Sequence, residues 1–119
     1  MLDINNNPKN PVIGTRSFGS DPQLVIDCGA AYMRGLQEHG VLATGKHFPG
    51  HGDTETDSHT GLPVIPYSKN RLDSLELKPF KALVEQGIGS LMIAHYIYPS
   101  LMLRLFYQAL CHELLLPVF

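Results

Sequence analysis

Three histidines fall within the thirteen residues from His47 to His59, in the run His-Phe-Pro-Gly-His-Gly-Asp-Thr-Glu-Thr-Asp-Ser-His. Imidazoles at this density between Gly and Pro are hard to attribute to core packing, because a loop of this kind runs over the surface and tends to carry function. Two chemistries suit the residue types. The first is general acid/base work: in Asp57-Ser58-His59 the carboxylate can accept the ring N–H, fix the tautomer and leave the other nitrogen free to exchange a proton. The second is metal binding, for which His47, His51, Asp53, Asp57 and His59 offer enough nitrogen and oxygen donors for zinc. Pro49 and Gly50 keep His47 and His51 off one helical face, so the paired-histidine geometry of a helical zinc site is absent. Loop histidines without a role stay open as the bland alternative. Phosphate binding fails: Gly40-Val-Leu-Ala-Thr-Gly45-Lys46 has the spacing of a phosphate loop, but His47 stands where a Ser or Thr hydroxyl ligates Mg²⁺.

The elements that must position this loop alternate in type. Leu2 to Ile4 reads as a strand stump, followed by a Pro/Asn/Gly-rich loop from Asn5 to Gly19. Ser20-Asp21-Pro22-Gln23 has the form of a capping box, and Leu24, Cys28, Ala31, Tyr32 and Leu36 follow at helical spacing up to Gly40. Val41 to His47 predicts a strand, and the polar loop Phe48 to Pro66 leaves its carboxyl end, where parallel α/β folds place their chemistry. Ser68 can cap a second helix with Leu72, Leu75, Phe80, Leu83 and Val84 as its stripe and Gly87 at its close; Pro79 kinks or shortens it. Ser90 to Tyr98 predicts another strand, and the leucine-rich stretch from Leu101 to Phe119 reads by default as helix. Strand, helix, strand, helix, strand is the grammar of a parallel sheet, so the class is α/β.

Composition narrows the partners. The 119 residues are 44% hydrophobic and 17% charged, a globular balance. Nine Lys+Arg against eleven Asp+Glu, with no basic block, exclude an electrostatic nucleic-acid footprint. Cys28 and Cys111 are too few for a disulfide framework or a zinc ribbon. The N-terminus carries no secretory signal, which favours a cytoplasmic location, and the apolar stretch Gln86 to Leu103 is interrupted by Gly87, Gly89, His95 and Pro99, so no membrane span is expected.

Lys46-His47-Phe48-Pro49-Gly50-His51-Gly52-Asp53, Asp57-Ser58-His59 and Leu62-Pro63 together closely resemble the motif of glycoside hydrolase family 3, in its β-N-acetylhexosaminidase branch. The resemblance runs upstream through Asn10 to Gly19 and downstream to Met92-Ile93-Ala94-His95, covering about residues 1–100. It implies a (β/α)₈ barrel, of which the chain would supply roughly the third to fifth βα units, with 101–119 as an atypical apolar tail. It also implies retaining hydrolysis of terminal β-linked N-acetylglucosamine from glycosides or peptidoglycan fragments, with a small carbohydrate as substrate and no cofactor or metal. By the same resemblance Asp57 and His59 form the acid/base dyad, while Arg16, Lys46 and His47 hydrogen-bond the sugar hydroxyls. The loop carrying His51-Gly52-Asp53 would then move to bring His59 over the sugar. For His95 a satisfied strand-end histidine is the preferred reading.

The departures matter as much. A retaining glycosidase needs a second carboxylate about 5 Å from the acid/base group, and in the family this nucleophile is an Asp on a later barrel strand. Beyond Glu85 the only carboxylate side chain is Glu113, in a context unlike the nucleophile's. The expectation is therefore a truncated or frameshifted chain, inactive by itself and poorly stable as part of a barrel. A metal-dependent hydrolase using His47, His51, Asp53 and His59 and a non-catalytic remnant are the alternatives.

Overall fold

A computed structural model describes residues 1–54, 64–94 and 97. Its elements run α1 (Pro22–Gln37), β1 (Thr44–Phe48), α2 (Lys69–Ser74), α3 (Lys78–Glu85) and β2 (Ser90–Ile93). β1 and β2 pair in parallel, with Thr44 opposite Ser90 and Lys46 opposite Met92, and a register shift between Lys46 and Phe48. The chain is therefore α/β, as expected, with a two-stranded sheet among the described residues. The strand expected at Leu2 to Ile4 does not form as such. That stump lies along β1 all the same, and Leu2 N–H donates to the Lys46 carbonyl at 2.7 Å. Beyond β2, Ile97 forms a parallel bridge with Val64. The dyad Asp57 and His59, together with His95 and the tail 101–119, lies outside the described residues.

Local chemistry explains where the boundaries moved. Asp21, not Ser20, caps α1, its carboxylate accepting from Gln23 N–H with Pro22 in the first turn. The buried face of α1 is Val25, Gly29, Ala30 and Met33, whereas Leu24 and Tyr32 from the expected stripe are exposed and Cys28 is only half-buried. The face is chosen by how closely the backbone can approach. A Cβ on Gly29 would stand 2.8 Å from Leu2 Cδ2 and 3.3 Å from Leu83 Cδ2, so α1 seats Gly29 and Ala30 on the core between Val25 and Met33 and leaves Leu24 and Tyr32 outside.

The strand expected at Val41 starts at Thr44, because Val41 and Leu42 are spent on the turn out of α1 and stay exposed. Ser68 does cap a helix, accepting from Arg71 N–H, but the single expected helix is two. Pro79 has no N–H to give and stands in the first turn of α3, so Leu75, Glu76 and Leu77 form the break. Leu2, Ala30, Met33, Ala43, Phe80 and Leu83 make the main core, and Ile65, Leu72 and Leu77 a second one. Phe48, at the carboxyl end of β1, touches both cores and meets Phe80 edge to face at 5.4 Å.

Candidate active site

The loop that leaves β1 is held from below by a residue from the stump. Asp3 is fully buried, and its carboxylate accepts from His47 N–H at 3.1 Å and from His51 N–H at 2.7 Å. Its Oδ2 also lies 2.9 Å from Nδ1 of the His47 ring, whose side chain keeps 19% of its surface exposed. A buried carboxylate is costly unless its lone pairs are filled, and here backbone N–H groups fill them. The Lys46–His47 and Phe48–Pro49 peptide bonds are cis.

A second anchor comes from the Asn-rich loop. Asn10 Oδ1 accepts from Val12 and Ile13 N–H at 2.9 and 2.7 Å, while its Nδ2 donates to the His51 carbonyl at 2.6 Å and to Thr54 Oγ1 at 3.3 Å. Thr54 Oγ1 lies 2.6 Å from His51 Nδ1, and the His51 side chain is buried. Gly52 passes directly over the stump: a Cβ there would stand 1.6 Å from the Ile4 carbonyl oxygen. These bonds join His51 and Thr54 to the stump and the Asn-rich loop, while residues 55–63 of the same loop lie outside the described residues.

A third cluster ties the loop to α2. Asp53 Oδ2 accepts from Tyr67 Oη at 2.6 Å and from Arg71 Nη2 at 2.9 Å, and the Arg71 guanidinium stacks 4.2 Å over the Tyr67 ring. Glu76 Oε1 lies 3.1 Å from Arg71 Nη2. Among the described residues, both Glu76 carboxylate oxygens and Arg71 Nε are buried without an aligned hydrogen-bond partner. Burial pushes the Glu76 carboxyl above its ordinary value against the pull of Arg71. The hydrogen bond to Asp53 raises the Tyr67 phenol. Burial would lower Arg71, but Glu76 and Asp53 outweigh it and hold the guanidinium above its usual value.

The expected sugar-binding residues divide. Lys46 and His47 stand together on β1, and the Lys46 ammonium makes no hydrogen bond or ion pair among the described residues. Arg16 is exposed on the turn Gly14–Arg16, where its guanidinium donates to the Val12 carbonyl of its own loop. No hydrogen bond or ion pair joins it to Lys46 or His47 among the described residues. His47 Nδ1 faces Asp3, His51 Nδ1 faces Thr54 and Asp53 is bound to Tyr67 and Arg71, whereas Asp57 and His59, on which the metal alternative also relies, lie outside the described residues. No group of three or more His, Cys, Asp or Glu could hold an ion among the described residues. Asp3, Asn10, Tyr67, Arg71 and Glu76 were not anticipated. The signals available were a carboxylate inside the apolar runs Leu2-Asp3-Ile4 and Leu75-Glu76-Leu77, and an Asn beside Pro in a turn.

Comparison with known proteins gives this arrangement relatives. The profile of the family described as glycosyl hydrolase family 3 N terminal domain matches residues 1–114. A β-hexosaminidase A from Pseudoalteromonas piscicida is 44% identical over 101 residues, which are 84% of this chain and 17% of that protein. The structure of a glycoside hydrolase family 3 β-N-acetylglucosaminidase from a Paenibacillus species superposes with a TM-score of 0.82 at 53% identity, over 84% of this chain and 19% of the other. NagZ from Neisseria gonorrhoeae, in complex with N-trifluoroacetyl-D-glucosamine, superposes with a TM-score of 0.77 at 40% identity, over 84% and 29%. The chain spans less than a third of the length of each of these relatives.

Proposed function

This chain belongs to the family of glycosyl hydrolase family 3 N-terminal domains, and from that membership we propose that it carries part of the active site of an enzyme that removes terminal β-linked N-acetylglucosamine from glycosides or peptidoglycan fragments. One observation carries the reading. Lys46 and His47 sit at the carboxyl end of a parallel strand, and the loop that follows is bound by buried Asp3 and Asn10, in a sequence 53% identical to a β-N-acetylglucosaminidase. On this reading β1 and β2 are adjacent strands of a (β/α)₈ barrel, and the loop after β1 opens at the face where such barrels do chemistry.

Each residue then has a task. Lys46 donates from a cation to a sugar hydroxyl, His47 holds a second hydroxyl, and Arg16 turns from the Val12 carbonyl to a third. Asp57 orients His59, which protonates the leaving oxygen and later takes a proton from the attacking water. Asp3 and Asp53 are both committed to the scaffold, so neither is assigned as the nucleophile that retention requires. The test is a graft in which the matching part of this chain replaces its counterpart in the Paenibacillus enzyme. The chimera should hydrolyse an aryl β-N-acetylglucosaminide and lose about a hundredfold or more in His59→Ala. A folded chimera without turnover, or one indifferent to His59→Ala, would sink the proposal.

A further inference from the structure

The carboxylate that meets a histidine within the described residues is Asp3, forty-four positions before His47 in the chain. Asp3 accepts backbone N–H groups from His47 and His51. A carboxylate used in this way is an acceptor only, so a ring nitrogen 2.9 Å from its Oδ2 must carry a hydrogen. We infer that Asp3 is a positioning residue that holds the proton of His47 on Nδ1, so that the ring offers a bare Nε2 to the sugar and receives a hydrogen bond from a hydroxyl. The inference rests on the reading of His47 as a sugar-binding residue. It adds the direction of the hydrogen bond and the group that sets it.

Three features of the geometry support the assignment. Asp3 has no exposed surface and cannot turn away, because two backbone N–H groups hold the same carboxylate. The Leu2 N–H bond to Lys46 and the Ser17 Oγ bond to the Asp3 carbonyl, both 2.7 Å, fix the stump against β1. The His47 ring keeps part of its surface open, and Nε2 makes no hydrogen bond among the described residues. Lys46, next in the chain, supplies a donor, so the pair offers one donor and one acceptor. Hydroxyls in a sugar, which both give and receive, suit such a pair.

The test reads the proton directly. In the 119-residue chain with ¹⁵N-labelled histidine, long-range ¹⁵N–¹H spectra at pH 8 should show His47 protonated on Nδ1 and bare on Nε2. His47→Gln identifies the signal. A proton on Nε2, or on both nitrogens, overturns the inference. Asp3→Asn provides the second arm, since its amide can keep Oδ1 toward the backbone N–H groups and turn Nδ2 to the ring, driving the proton to Nε2. The variant should keep the far-ultraviolet spectrum of the parent yet bind free N-acetylglucosamine about tenfold more weakly. A switched ring with unchanged affinity removes Asp3 from any positioning role. If Asp3→Asn does not fold, the spectrum of the unsubstituted chain still decides where the proton lies. Failure of the unsubstituted chain to bind the sugar would instead count against the functional reading, whichever nitrogen carries the proton.

Discussion

Two carboxylates fasten the same loop, one from the stump and one from within the loop itself, and they are held in different ways. Asp3 is buried and bound by backbone N–H groups and one imidazole, so its partners are fixed in place by the fold itself. Asp53 is bound by Tyr67 and Arg71, two flexible side chains, and Arg71 must also answer Glu76. The first arrangement loses little side-chain entropy and leaves few lone pairs empty. Among the described residues, the second leaves Glu76 Oε2 and Arg71 Nε buried without hydrogen-bond partners. A carboxylate is better buried against main-chain dipoles than against a shared cation, and the stump side should be the stiffer anchor.

The sharpest way to break this comparison is Gly52→Ala. The added Cβ would meet the Ile4 carbonyl oxygen at 1.6 Å, and because the obstacle is backbone no rotamer relieves it. The expected cost exceeds about 3 kcal/mol, seen as loss of the cooperative urea transition or a large fall in its midpoint. A change below about 1 kcal/mol would show that the loop and the stump are not packed as tightly as this comparison requires.

Arg71→Met should cost less, about 2 kcal/mol, chiefly because it strands Glu76 in a buried site. Arg71 itself is partly exposed, so solvent already weakens its attraction for Asp53. Adding Glu76→Gln should recover much of that loss, giving a positive coupling in a double-mutant cycle. Strict additivity would mean that Arg71 and Glu76 do not interact. Tyr67→Phe removes one hydrogen bond to Asp53 and should cost about 1 kcal/mol by the same urea measurement.

What could be foreseen from the amino acids follows the same division. Turn and cap chemistry is local, so the helix ends near Gly40 and Gly87, the Ser68 cap and the parallel alternation were legible. The face of α1 was not, because Leu24 and Tyr32 are more apolar than Gly29 and only the approach of Leu2 and Leu83 decides between them. Lys46 and His47 could be picked out because motif residues lie next to each other in sequence. Asp3 could not be joined to His47, since a pairing across forty-four residues leaves no local trace. Arg71 reads in the sequence as an ordinary charge on an amphipathic helix. Its role depends on α2 being short and on Pro79 forcing the break that turns Glu76 inward.

The smallest expected effect concerns Glu76, and its sign separates the two anchors most finely. Burial raises its folded value above the ordinary 4.5, with Arg71 opposing and Asp53 adding to the rise. Between the unfolded and folded values the native chain therefore binds more protons than the unfolded one, and stability falls as pH rises through that window. Glu76→Gln removes this slope. Relative to the parent, the variant should gain stability as pH rises from 4.5, and the difference should level off once both forms of the parent are ionised. Asp73 has the opposite sign, for its hydrogen bonds to Lys69 and Lys81 lower its carboxyl, so that its contribution is lost only as pH falls below the ordinary 3.8. It leaves the window above 4.5 clear. Urea midpoints of parent and variant compared from pH 4.5 to 8 isolate Glu76, because every other group is common to both. A variant less stable by the same amount at all pH values would mean that the ion pair with Arg71 outweighs desolvation, and the α2 side would then be the tighter of the two anchors.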